Sequence, residues 1–190
     1  MSALISPSPT SPTRRLATAA EFALMKDEPP IELVGGVVKE VGMPGGLPGK
    51  VCIRLGRFLD MDVEAHDCGH VMGNDTYVPT GTGPDTVRGA DVCYASYQRI
   101  PKGEMPTGII PVPELAAEVK SPSNTWVELF TKMLEYLKCG VLVVILVDPE
   151  RRTVSLYRAD GSQVILTEAD DLTVADVLPG FTVAVRRLFE

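Results

Sequence analysis

Only two histidines and four cysteines occur in this chain of 190 residues, and that scarcity removes several chemistries at once. The cysteines (Cys52, Cys68, Cys93 and Cys139) are scattered, with no CxxC pair. They indicate reduced thiols in a cytoplasmic protein rather than a disulfide framework. The run HDCGH at 66–70 would place His66, Cys68 and His70 on one strand face. Zinc needs a fourth ligand, and no partner cluster occurs elsewhere in the chain. A nucleophile triad has little histidine to draw on. No P-loop or GxGxxG is present, since the GTG at 81–83 lacks the strand–loop–helix context. No apolar run approaches the roughly 18 residues of a membrane span, so no membrane partner is expected. No internal repeat is found. Positive charge is also in deficit, at 18 Lys and Arg against 25 Asp and Glu, for a net charge of −7. That balance argues against broad non-specific nucleic-acid affinity, which rests on cations neutralising phosphates. A local basic groove or a metal-assisted phosphate site stays open.

What is present is an ordinary globular composition, with a length that can bury a core without staples. The opening MSALISPSPTSPT is rich in Ser, Pro and Thr and has no positive charge before its apolar residues. It reads as a disordered tail over 1–13, not a signal peptide, followed by a single domain over 14–190. Thr18 to Glu21 form a capping box that predicts a short helix through about Lys26, stopped by Pro29 and Pro30. IELVGGVVKEV predicts a hairpin around Gly35-Gly36. MPGGLPG reads as a flexible loop before a helix over 50–63, whose apolar spacing runs through Val51, Leu55, Phe58 and Leu59. Strands broken by turns are expected over 64–97, then a Pro- and Gly-rich surface loop.

ELAAEVK predicts another strand. A second capping box, Thr125 to Glu128, starts a helix with a stripe of Trp126, Leu129, Phe130, Met133, Leu134 and Leu137, ending at Gly140. VLVVILVD, apolar on both faces, predicts a central covered strand. A hairpin around Asp160-Gly161, then a short helix and a last strand, complete the chain. The strand–helix–strand order over 115–147 is a parallel crossover, so the fold class is α/β with a mixed β-sheet.

Three polar residues sit where apolar ones are expected. Asp91 lies inside VRGADVCYAS, and Glu118 and Lys120 flank Val119 in PELAAEVKSPSN. Residues two apart on a strand share a face. The plain reading is a strand-end ion pair of Glu118 with Lys120, and a hydrogen-bonded Asp91. The other reading is that Asp91 and Glu118 converge on one cation, because a buried carboxylate is costly unless paired or metal-bound. Mg²⁺, with Mn²⁺ as a substitute, suits two carboxylates plus water and phosphate oxygens. Lys120 would then contact a phosphate or orient the attacking water.

RGADVCYAS, PELAAEVKSPSN and KMLEYLKCGVLVVILVDPERRTVSLYR together resemble the Uma-two family of restriction endonucleases, within the PD-(D/E)xK nuclease superfamily. The resemblance runs from about Thr18 to LPGFTVAVRRLF. It implies a restriction-endonuclease-like sheet flanked by helices, and endonuclease activity on DNA. Its acidic strand residue is matched by Asp91, and its Glu-x-Lys by Glu118 to Lys120. Its early hairpin Glu is matched by Glu32, and its helical lysine by Lys132. It further implies the Val119 carbonyl as a metal ligand, and a homodimer. The family's Pro before the acidic residue is Ala90 here, and the acidic residue of the early hairpin turn is Gly35. On residues alone, Glu32 could equally be a solvated hairpin residue, and Lys132 a lysine lying along a helix surface. Asp148 reads as a turn cap. A catalytically inactive nuclease-fold protein, acting as a binding or assembly module, is the rival from a different class.

Overall fold

The computed structural model describes residues 15–25, 30–43 and 45–190. The tail expected over 1–13, Pro29 and the Lys26 end of the first helix lie outside them. In chain order the elements are α1 (Ala19–Phe22), β1 (Ile31–Val34), β2 (Val37–Glu40), α2 (Gly46–His66), β3 (Gly69–Gly81), β4 (Thr86–Ser96) and β5 (Leu115–Val119). They continue as α3 (Trp126–Cys139), β6 (Val143–Asp148), β7 (Thr153–Arg158), β8 (Gln163–Leu166), β9 (Asp171–Thr173), β10 (Thr182–Ala184) and a 3-10 turn at Val185–Leu188. An eight-stranded mixed sheet runs in the order β2-β1-β4-β5-β6-β7-β8, with β3 on the other side of β4. The α/β class and mixed sheet read from the sequence are those observed. No helix among the described residues is long and apolar enough to cross a membrane.

The helix signals act as their chemistry requires. Both capping boxes form: Thr18 with Glu21, and Thr125 with Glu128. α1 stops at Phe22, four residues short of the expected Lys26. α2 begins at Gly46 rather than residue 50, so most of the expected MPGGLPG loop is helical. Pro48 is tolerated there because the first turn's N–H groups have no helical acceptor anyway. Gly140 ends α3 at φ 108°, a left-handed backbone that favours glycine. A Thr125→Ala variant removes the cap and is expected to cost about 1 kcal/mol. Urea denaturation should show a lower midpoint at unchanged slope.

Two apolar layers cover the sheet. On one face α2 contributes Val51, Leu55, Leu59 and Val63, joined by Leu172, Leu178, Phe181 and Leu188 of the C-terminal segment. On the other, α3 contributes Leu129, Met133 and Tyr136. β6 is buried along its whole length, as its unbroken apolar run implies. The α3 stripe differs from expectation. Phe130 and Leu134 are 38% and 51% exposed, and Tyr136 is buried instead. The inward face is 129, 133 and 136, and Lys132 lies on the same side. A count of apolar residues cannot see that a lysine and a tyrosine hold half of this face. The C-terminal segment differs in part: the expected last strand is β10, but the short helix expected before it is absent among the described residues, where β9 and a turn stand instead, and a 3-10 turn follows β10. Gly180, at φ 92°, turns the chain between those strands.

The sheet contains a gap. Val92 of β4 pairs with both Gly73 of β3 and Ala117 of β5. Val87 pairs with both Pro79 of β3 and Leu33 of β1. β1 and β5 therefore lie on the same side of β4, one beyond the other. Between them, residues 88–91 of β4 have no strand partner on that side among the described residues.

Candidate active site

The gap creates a physical problem, because buried backbone N–H and C=O groups need partners. Polar side chains supply them. Glu32 of β1 accepts the Gly89 N–H at 3.0 Å. Lys132 of α3 donates to the Gly89 carbonyl at 2.9 Å. Asp91 accepts the N–H of Val119 at 2.6 Å, just past the last pair of β4 with β5. Three of the residues singled out from the sequence are thus drawn together by one interruption in the ladder.

Lys132 is the centre of the arrangement. Its Nζ lies 2.7 Å from Glu118 Oε2 and 3.1 Å from Glu32 Oε1. Glu118 is 3% exposed, and its second oxygen accepts the Tyr136 hydroxyl at 2.9 Å. Glu32 is also held by Arg88 at 2.9 Å, and Arg88 in turn makes a forked pair with Glu135 at 2.6 and 2.9 Å. Glu32 is therefore a buried paired carboxylate rather than a solvated hairpin residue, and Lys132 does not lie along the helix surface.

Lys120 is placed differently from the expectation. It faces the α3 layer, as alternation from Glu118 requires, but its ammonium stands over the Trp126 ring at 5.9 Å and 4.0 Å from Glu150. The pair with Glu118 is not formed. The strand ends at Val119, and Lys120 sits one residue beyond it, its N–H bonded to Val147 at 2.9 Å. Its stem runs toward the start of α3 while Lys132 fills the space beside Glu118. Asp148 caps a turn as expected, accepting the N–H groups of Glu150 and Arg151. His66, Cys68 and His70 assemble no metal site among the described residues.

The side chains border a pocket of about 460 Å³. Glu32, Asp91, Glu118 and Lys132 line it, with Ser121, Ser123 and Asn124 of the turn after β5. Asp75 joins them. A bulge in β3 between Gly73 and Thr76 aims it there, and a side chain at Gly89 would meet its Cβ at 3.0 Å. Sequence reasoning missed Asp75, Arg88 and Tyr136. An arginine between Val87 and Gly89 in an apolar strand was the available signal, since a buried guanidinium needs carboxylates.

The electrostatics are uneven. Burial pushes Glu118 up to about 8, against the pull of Lys132. Burial also raises Asp91 and Asp75. Burial works the same way on Glu32, but Lys132 and Arg88 together outweigh it and hold that carboxyl low. Burial opposes the charge of Lys132, yet Glu118, Glu32 and Asp91 keep it firmly protonated. The pocket thus carries more carboxylates than its cations neutralise. A divalent cation fits that excess. No three Asp, Glu, His or Cys side chains among the described residues form a metal-holding group. An ion here would rest on two carboxylates, with water and phosphate oxygens completing its shell, which is the habit of Mg²⁺.

A family model for Uma2, described as "Putative restriction endonuclease", matches residues 19–186. A crystal structure titled as a "putative nuclease belonging to DUF820" from Anabaena variabilis superposes with a TM-score of 0.80 at 22% sequence identity. The match covers 90% of this chain and 97% of that one. No curated protein matches.

Proposed function

The chain belongs to the Uma2 family, and from that membership and the sheet-gap pocket we propose that it is a metal-dependent endonuclease hydrolysing DNA phosphodiester bonds. The observation that carries the reading is the buried, coupled set of Asp91, Glu118 and Lys132 lining one pocket. Asp91, Glu118 and the Val119 carbonyl would hold Mg²⁺, which supplies charge neutralisation at the phosphoryl group and a more acidic bound water. Lys132 takes the lysine role that the Glu-x-Lys pattern offered to Lys120. Its three N–H donors are engaged by Glu118, Glu32 and the Gly89 carbonyl, so it fixes Glu118 in place. Turning one donor to a phosphate oxygen would stabilise charge that develops there. Glu32 anchors Lys132 from the opposite side. Lys120, with Trp126, stands where it could contact the strand entering the pocket. Two copies of the chain would supply the two cuts that a duplex requires. The test is cleavage of a supercoiled plasmid with Mg²⁺. Nicked and linear products that vanish with EDTA are expected, and an intact plasmid under all metal conditions would sink the proposal.

The same saturation of Lys132 favours the second reading, a non-catalytic module whose polar cluster is complete without a ligand. Metal affinity separates the two. Glu118 holds a proton up to about pH 8, and a metal ligand must lose it. Below that pH the proton competes, so Mn²⁺ affinity should rise with pH by roughly tenfold per unit and level off above it. Calorimetric titration across the neutral range reads this directly. An affinity flat with pH would remove Glu118 from the ligand set.

A further inference from the structure

Outside the pocket, one surface gathers cations that no carboxylate among the described residues neutralises. Lys50, Arg54 and Arg57 of α2 follow one another at i, i+4 and i+7, which is one face of a helix. Lys50 and Arg57 are exposed, and Arg54 is half-buried. The C-terminal 3-10 turn adds exposed Arg187. Its guanidinium lies over the Phe58 ring at 4.6 Å, and that of Arg57 approaches the same ring at 6.0 Å. Arg54 ties the two segments together by donating to the Arg187 carbonyl at 2.9 Å. Among the described residues none of the four has a carboxylate within ion-pair distance, and Asp60, three residues beyond Arg57, makes no pair either. Arg88, Arg99, Arg152, Arg158 and Lys132 are all paired. In a chain of net charge −7 an unpaired cluster of this kind is not a by-product of general basicity.

We infer that Lys50, Arg54, Arg57 and Arg187, ordered around Phe58, form a docking surface for the phosphate backbone of a nucleic-acid duplex. Stacking on an aromatic ring restrains a guanidinium while leaving its N–H edges free for phosphate oxygens. From Lys50 to Arg57 the helix rises about 10 Å. That matches roughly three phosphates of one strand at about 3.4 Å of duplex axis each. None of the four residues lines the pocket, and α2 covers the opposite face of the sheet from α3. The surface therefore grips duplex away from any scissile bond, where phosphate contacts set position rather than sequence. The choice of nucleic acid over another polyanion rests on the nuclease reading. The charge cluster itself does not.

The test is anisotropy of a short labelled duplex with the full chain, in EDTA so that no cleavage intervenes, across a salt series. The triple variant Arg54→Gln, Arg57→Gln, Arg187→Gln should bind more weakly and lose about 2.7 from the slope of log K against log salt, near 0.9 per phosphate contact. Because Arg54 also bonds the C-terminal turn, Arg57→Gln alone is the second variant, with an expected slope change of about 0.9. Asp91→Asn should leave the slope unchanged, so loss of cleavage and loss of docking are read separately. Equal slopes for wild type and both arginine variants would overturn the inference. So would a wild type that binds phosphatidylserine vesicles but no duplex.

Discussion

Above about pH 8, where Glu118 is ionised, a Lys132→Met variant is expected to lose about 3 kcal/mol of folding stability, at the lower end of the range for breaking a buried ion pair. The ammonium serves two buried carboxylates, Glu118 and Glu32, and the carbonyl of Gly89. Its removal leaves these acceptors short inside the gap between β1 and β5. Two features limit the cost. Glu32 keeps Arg88 as a partner, and Glu118 keeps the Tyr136 hydroxyl and can take up a proton, the usual escape of a stranded buried carboxyl. The second escape gives the effect a pH signature. Protonated Glu118 needs no cation, so the deficit should be small in acid and grow as pH rises toward and past about 8. Denaturant unfolding of both proteins on either side of neutrality measures it. A Lys120→Met variant is the contrast. Its partner Glu150 is 69% exposed in its side chain, and such a pair contributes only about 0–1 kcal/mol. If the two lysine variants unfolded alike, the central role of Lys132 would be lost.

The lysine contrast shows where the sequence was informative and where it was not. Asp91 and Glu118 were legible because a carboxylate inside an apolar strand is anomalous in one dimension. The crossover from β5 through α3 to β6 was legible because periodicity, cap and apolar run all agree there. Which lysine reaches Glu118 was not legible. Strand alternation puts Lys120 on the right face, but a strand that stops at Val119 no longer dictates where the next side chain goes. Lys132 arrives from fourteen residues away, on a helix whose rotation is set by the burial of Leu129, Met133 and Tyr136. Arg88 and Asp75 were missed for a related reason. Their roles come from a gap in strand pairing and a bulge in β3, and both are properties of the assembled sheet. The last strand was legible and is β10, but β9 was missed and a helix expected instead, because apolar spacing in a short segment fits a helix turn and a strand equally well.

An Asp91→Asn variant should separate function from folding most cleanly. The amide oxygen can still accept the Val119 N–H that Asp91 takes at 2.6 Å, so the junction of β4 with β5 keeps its hydrogen bond. What disappears is a negative charge that burial already disfavours and that Asp75 and Glu32 disfavour further. A carboxyl whose folded pKa is raised destabilises the fold once it ionises. The variant should therefore be at least as stable as wild type at neutral pH, and that advantage should fade on acidification as wild-type Asp91 takes its proton. Cleavage should move the other way. Metal coordination contributes several kcal/mol at a transition state, so weakening it through one carboxylate should lower the rate by at least roughly a hundredfold. Thermal unfolding and plasmid cleavage on the same preparation read the two effects together. Raised stability with lost cleavage is what a site that carries buried charge for chemistry must show. An equally stable variant that cleaves at the wild-type rate would leave Asp91 as nothing more than a hydrogen-bond acceptor for the sheet.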